Sequence, residues 1–313
     1  HLRIGGRGPI SAVISGIDIA LWDIKGKALG VPVYQLLGPP VRDHVPLYTH
    51  VHDARQAATI EENVAMARQT KADGYRAIKT DPFLSMATQS GPFRGASLVE
   101  KLTPSAINYA AEWVGALRSE LGDDYELMVD AHARFDVASA IAAARELEPF
   151  KLIWFEEPVP QESYDALKEF RENSNVAISV GESLFTRYDF VPILQDRLAD
   201  FVMPDIAWTG GISELRRIAA LAEAYYVPFT PHDALGPVAI ASTFQVCMAT
   251  PNLYRQESIH AWFDDFLKIV TTMPEYRDGA LWPLDKAGIG IELIHEEVER
   301  YAVPSSQGRM TTY

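Results

Sequence analysis

The chain has a single cysteine, Cys247, among 313 residues. No intrachain disulfide can form, which fits a reducing cytoplasm better than a secreted, disulfide-stapled domain. No run of about 18 apolar residues occurs, so no transmembrane helix is expected. The N-terminus carries no signal peptide pattern, and because His1 is not a natural start, a preceding segment is expected. Basic residues are scarce. Lys and Arg number 28 against 42 Asp and Glu, a net charge of −14. Nucleic-acid binders draw their affinity from cations that neutralise phosphate, so the balance argues against that class. No low-complexity segment interrupts the chain. Hydrophobic residues make up 48% and charged residues 22%, enough for a sizeable core. The length suits two average domains, or one α/β barrel of about 250 residues with additions.

Three short stretches dominate the pattern: LMVDAH (127–132), LIWFEEP (152–158) and AISVGES (177–183). Each starts apolar and stops at an acid. The acids are Asp130, Glu156 and Glu182, each 26 residues after the last. One strand, one helix and two loops of a βα unit need about that much chain. The spacing predicts three neighbouring parallel strands with a carboxylate at each C-terminal end. Three acids so gathered repel one another unless a cation sits between them, and hard oxygen donors without Cys or His favour Mg²⁺. The competing reading makes each acid a helix N-cap.

Around these stretches the chain alternates strand and helix. Residues 11–29 read as a helix with Ile14, Ile17, Ala20, Leu21 and Ile24 on one face, stopped by Gly30 and Pro32. Expected strands are 45–49 and 75–79, then three ending at Asp130, Glu156 and Glu182, then 200–205, 227–232 and 253–257. Helices are expected at about 55–70, 104–121 and 212–225. Residues 82–103 are rich in Pro, Gly and Ser without a period, and a loop that long reads as a flap over the second strand. GIGIEL (288–293) reads as an extra strand outside the main sheet. Eight strands alternating with helices predict an α/β fold, a (β/α)₈ TIM-like barrel, whose chemistry lies at the C-terminal strand ends.

Other reactive residues fall at those ends. Asp205 and His232 close neighbouring strands, and an Asp beside a His fixes its tautomer and makes it a better base. His132 lies two residues past Asp130 on the same side and is a candidate acid, with a metal ligand or a capping residue as alternatives. Glu257 closes the last strand, with an ion pair to Arg255 as its alternative. Lys79 ends the second strand, where it would neutralise a carboxylate or an enolate oxygen unless it is merely solvated.

VDAHARF, FEEP, VGES, PDIAWTGGI and PHDALGP, in that order, resemble the enolase superfamily in its mandelate racemase branch, as does the opening GIDIALWDIKGKALGVPVYQLLG. Within it, Asp-x-His at 130–132, PHDALGP and Glu257 resemble sugar acid dehydratases of the galactonate dehydratase type. The resemblance implies Mg²⁺ on Asp130, Glu156 and Glu182. It also implies a His232 base paired with Asp205, His132 as the acid for the leaving hydroxyl, and Glu257 assisting the enolate. Many such relatives carry Lys-x-Lys at the second strand. Here the segment is Lys79-Thr80-Asp81, which leaves one-base elimination rather than lysine/histidine racemisation.

The resemblance further implies an α+β capping domain, of which residues 1–40 would be the C-terminal part. Residues 41–260 would then be the barrel, and 261–313 a segment packing back toward the cap. The expected activity is Mg²⁺-dependent dehydration of an aldonate such as galactonate, gluconate or mannonate to a 2-keto-3-deoxy acid. His50, His52 and Arg134 are candidate hydroxyl contacts. The expected enzyme is a cytoplasmic homo-oligomer acting on a small sugar acid, with neither nucleic acid nor membrane as partner. A racemase, epimerase or cycloisomerase is the alternative within the same chemistry, and a non-catalytic binding barrel the alternative outside it.

Overall fold

The computed structural model describes residues 7–51, 59–83 and 101–301. His52 and residues 84–100 of the expected flap lie outside them. Six strands follow one another in parallel: β1 Val45–His50, β2 Ala77–Thr80, β3 Glu126–Asp130, β4 Phe155–Glu156, β5 Ile178–Val180 and β6 Phe201–Val202. Single bridges then carry the ring from Val202 to Phe229 and from Phe229 to Leu253. β7 (Gln256–Ser258) pairs in parallel with β1 and closes it. This is a (β/α)₈ barrel, as the pattern predicts.

Side-chain caps start several of the outer helices. Thr59 and Glu62 form a reciprocal capping box, and Thr103, Asp136 and Ser163 each accept an amide of the first turn. Strand alternation divides the interior. Leu127, Val129, Phe155, Ile178, Val180 and Val202 join the buried layer that includes the helix faces. Met128 and Trp154 point the other way and pack with Tyr48, Ala77 and Met203 inside the barrel. The same alternation turns Asp130, two residues after Met128, and Glu156, two after Trp154, into the barrel mouth.

Several elements differ from expectation. Helix α1 (Pro9–Leu29) forms but presents its other face. Val13, Ile17, Leu21 and Ile24 are 63%, 56%, 61% and 61% exposed. The face against the barrel buries Ser11, Ser15, Ile19 and Gly26, and its polar groups cap another helix. Ser15 Oγ accepts the Gly210 amide, Asp18 accepts the Ser213 amide, and Trp22 Nε1 donates to Ser213 Oγ at 2.8 Å. Ser15 and Asp18 thereby accept amides at the start of helix Gly211–Ala224 that have no acceptor within it. Further along α1, a Cβ on Gly26 would stand 2.7 Å from Gly288 Cα, so the approach there requires glycine.

The seventh barrel segment is a single bridging residue, Phe229, rather than a strand over 227–232. The eighth begins regular pairing at Gln256, not Leu253. GIGIEL is not a strand, since Gly288 and Gly290 adopt φ of 73° and 88° and break the extended run. The added strands are β8 (Glu275–Arg277) and β9 (Ala280–Trp282), an antiparallel pair joined to β1 through β9. Among the described residues no helix is long and apolar enough to cross a membrane.

Candidate active site

β3 and β4 bring Asp130 and Glu156 directly opposite each other in register. Glu182 arrives differently. Glu156 pairs with Ser179, β5 ends at Val180, and Glu182 lies beyond the strand. The chain turns at Gly181, whose φ of 139° suits glycine and where a Cβ would meet Phe190 Cε1 at 2.8 Å. One carboxylate oxygen from each of Asp130, Glu156 and Glu182 lies within 4.8 Å of the others. Trp154 Nε1 donates to Glu156 Oε2 at 2.9 Å, and the His132 amide donates to Asp130 Oδ1 at 2.8 Å.

Lys79 Nζ faces this cluster from β2, fully buried. It contacts Glu156, Glu257 Oε1 at 2.8 Å and Asp130 Oδ2 at 3.1 Å. It is therefore not the solvated lysine of the bland reading. Burial disfavours its charge, but Glu156 and Glu257 outweigh that and hold its pKa well above the ordinary lysine value. One ammonium does not balance the acids. Burial, followed by the charge of Asp130, raises Glu156 well above the carboxylate range in spite of Lys79. Asp130 Oδ2 is buried and, among the described residues, meets only the Lys79 ammonium, without a well-formed hydrogen bond. An all-carboxylate set with excess negative charge and a buried oxygen so poorly satisfied fits a hard divalent cation.

Two imidazoles flank the acids. His232 Nδ1 pairs with Asp205 Oδ2 at 2.7 Å, and its Nε2 lies 3.2 Å from Glu182 Oε2. Asp205 is not a strand residue. It caps the short helix Ile206–Thr209, accepting the Ala207 amide through its other oxygen at 2.6 Å. Burial works against a charged His232, but Glu257, Glu182 and Asp205 prevail and hold its pKa well above the ordinary value. His132 stands on the other side, its Nδ1 2.8 Å from Asp81 Oδ2 and 3.4 Å from Asp130 Oδ1. Burial is again outweighed, by Asp130 and Asp81, and its pKa rises to about 9.

The remaining candidates are committed to protein partners. His50 Nε2 binds Glu257 Oε1. Arg134 donates to Asp81 Oδ2 at 2.6 Å and to the Ala131 carbonyl at 3.0 Å. Arg255 pairs with Glu126 at 2.7 Å, at the opposite end of β3 from Asp130, and not with Glu257. Glu257 instead faces Lys79 and His50 and accepts the Asp233 amide. Two residues not singled out from sequence enter the site. Asp81 has the same parity as Lys79, and strand alternation alone pointed it inward. Glu157, the second acid of FEEP, is 1% exposed; burial, then Glu182, pushes its pKa up to about 8.

A closed barrel with acids clustered at its mouth and histidine–carboxylate pairs on either side defines a class of acid–base enzyme. Residues 62–298 match the enolase C-terminal domain-like family, and residues 5–38 match the N-terminal domain of mandelate racemase and muconate lactonizing enzyme. The chain belongs to the enolase superfamily, in that branch. It is 36% identical over 297 residues to a D-galactonate dehydratase of Xanthomonas axonopodis pv. citri, covering 93% of this chain and 74% of that protein. A D-galactonate dehydratase family member of Streptomyces bingchenggensis is 33% identical, with 92% and 72% covered. Among solved structures, a mandelate racemase/muconate lactonizing enzyme-like protein of Rubrobacter xylanophilus superposes with a TM-score of 0.87 at 34% identity. That match covers 96% of this chain and 79% of the other.

Proposed function

We propose that this chain dehydrates a sugar acid, with Asp130, Glu156 and Glu182 holding Mg²⁺. The observation that carries the reading is the pair of imidazoles flanking the acid cluster, each bound to a carboxylate through Nδ1. The relatives named dehydratases support an aldonate as substrate, galactonate first among them. When bound, the ion would draw charge from the substrate carboxylate, acidify the hydrogen α to it, and offset the acids that keep His232 protonated.

Asp205 fixes the Nδ1–H tautomer of His232, which leaves Nε2 as the atom that takes the α-hydrogen from C2. The electron pair left behind gives an enediolate. Lys79, held among the acids, opposes the negative charge that builds on its oxygens, and Glu257 is kept in place by Lys79, His50 and the Asp233 amide. His132, its Nδ1 held by Asp81, donates a proton from Nε2 as the C3–O bond breaks, so hydroxide leaves as water. The resulting enol tautomerises to a 2-keto-3-deoxy acid. Overall one water is lost, and the oxidation of C2 is balanced by the reduction of C3, so no external oxidant is needed. Arg134 acts by holding Asp81 rather than by touching substrate.

Solvent exchange separates the two imidazoles. In D₂O with Mg²⁺ and galactonate, His232→Asn should abolish both α-deuterium uptake and keto acid. His132→Asn should block keto acid and retain uptake. Uptake surviving in His232→Asn would remove it as the base, and undiminished keto acid from His132→Asn would remove it as the acid. Uptake without any keto acid in the unaltered protein would favour an epimerase.

A further inference from the structure

Glu157 is a buried acid that the proposed reaction does not use, and it touches all three ligand-bearing segments. It follows Glu156 directly. Its carbonyl accepts the Ala133 amide at 2.8 Å, from the turn just after Asp130. Its side chain reaches the segment carrying Glu182. Oε1 accepts the Gly181 amide at 3.2 Å and the Ser183 amide at 3.5 Å, and Ser183 Oγ lies 3.0 Å from both carboxylate oxygens. Its own amide donates to the Ser179 carbonyl at 2.9 Å and extends the β4–β5 pairing by one residue. The backbone there is left-handed, φ 36°, a conformation that disfavours a residue other than glycine. A strained, fully buried acid persists only where its surroundings determine it.

We infer that Glu157 is a positioning residue for the metal site, a tie that sets Glu182 relative to Asp130 and Glu156. The need for one follows from the strand register. Asp130 and Glu156 are fixed opposite each other by regular pairing, whereas Glu182 lies two residues past the end of β5 and has no ladder to hold it. The hydrogen bonds from Gly181 and Ser183 bracket Glu182 on both sides and supply that constraint. Groups that orient ligands in this way typically change metal affinity by about 10–100-fold when removed.

The inference rests on the reading of the three acids as cation ligands, and the test separates the two. Mg²⁺ is titrated calorimetrically into chelator-treated protein. Glu157→Leu removes every side-chain acceptor and should weaken binding about 10–100-fold, whereas Glu157→Gln keeps a carbonyl oxygen for Gly181 and Ser183 and should stay within about threefold. Unchanged affinity in Glu157→Leu overturns the inference. Equal losses in both variants also overturn it, because charge and not orientation would then be the cause. If Glu157→Leu does not fold, Ser183→Ala deletes the hydroxyl bonds from the other side and should weaken binding by about 3–10-fold.

Should the unaltered protein bind no Mg²⁺, the metal reading fails and the tie is judged by hydrogen exchange in metal-free protein. Glu157→Leu should speed exchange of a 178–186 peptide at least about tenfold and leave 126–129 unchanged. Equal exchange in that peptide overturns the tie itself.

Discussion

Replacing Lys79 by Met tests the electrostatics of the barrel mouth most sharply. Among the described residues its ammonium is the one cation in contact with Asp130, Glu156 and Glu257 together, and all four groups are buried. Methionine keeps most of the volume, so packing changes little. What remains is a set of buried carboxylates without their counter-ion, and breaking a buried ion pair from one side costs about 3–5 kcal/mol. At roughly 2 °C per kcal/mol for a domain of this size, the chelated variant should melt about 6–10 °C below the unaltered protein. The loss should depend on pH. Glu156 has a folded-state pKa raised above its unfolded value, so its contribution to stability is present below about 4.5 and is lost as pH rises through the folded value. The chelated variant should therefore recover stability on acidification. Mg²⁺ should stabilise it more than it stabilises the unaltered protein, for which about 2.7 kcal/mol is expected at one hundred times Kd. Urea melts with chelator and with Mg²⁺, from pH 8 down to 5, measure all three effects. A cost below about 1 kcal/mol in chelator, or equal stabilisation of the two proteins by Mg²⁺, would refute the account of an over-charged acid cluster.

Two further predictions concern positions outside the reacting groups. Gly181→Ala should cost about 1–3 kcal/mol in thermal or urea melts, because its backbone is left-handed and the new methyl meets Phe190; a neutral result would mean the turn before Glu182 adapts freely. Glu126→Gln, at the N-terminal end of β3, should destabilise by about 1–3 kcal/mol at pH 7 by loosening Arg255 and Tyr254. Burial raises the Glu126 pKa, but its bonds to Arg255 outweigh that and lower it. Its contribution is thus present above pH 4.5 and lost as pH falls through the folded value, so variant and unaltered protein should converge in acid. A gap that stays constant down to pH 3 would contradict the ion pair as the cause.

The barrel was legible because strand alternation and the βα period are local. Parity in LMVD and IWFE decided which side chains face inward, and the structure follows it at Met128, Asp130, Trp154 and Glu156. The equal 26-residue spacing was less informative than it looks. It brings three acids together, but Glu182 reaches the cluster through a glycine turn beyond β5, not at a strand end. Asp205 serves as a helix cap and a histidine partner at once, a double role that its place in the sequence pattern did not show. α1 could not be oriented from its own periodicity. Its apolar stripe is real, but polar side chains capping Gly211–Ala224 decided which face meets the barrel. Asp81 and Glu157 were missed because each sits beside a more conspicuous residue, and their importance lies in contacts with other strands.

The most direct test of the central claim is turnover of a panel of hexonates, pentonates and aldarates, with Mg²⁺ and with chelator, detecting 2-keto-3-deoxy acids. The account predicts keto acid from one or a few aldonates, one water lost per turnover, abolished by chelator and restored by Mg²⁺. Keto acid formed equally well in chelator would contradict the role of Asp130, Glu156 and Glu182. No product from any acid, in protein shown to bind Mg²⁺, would contradict aldonate dehydration as its activity.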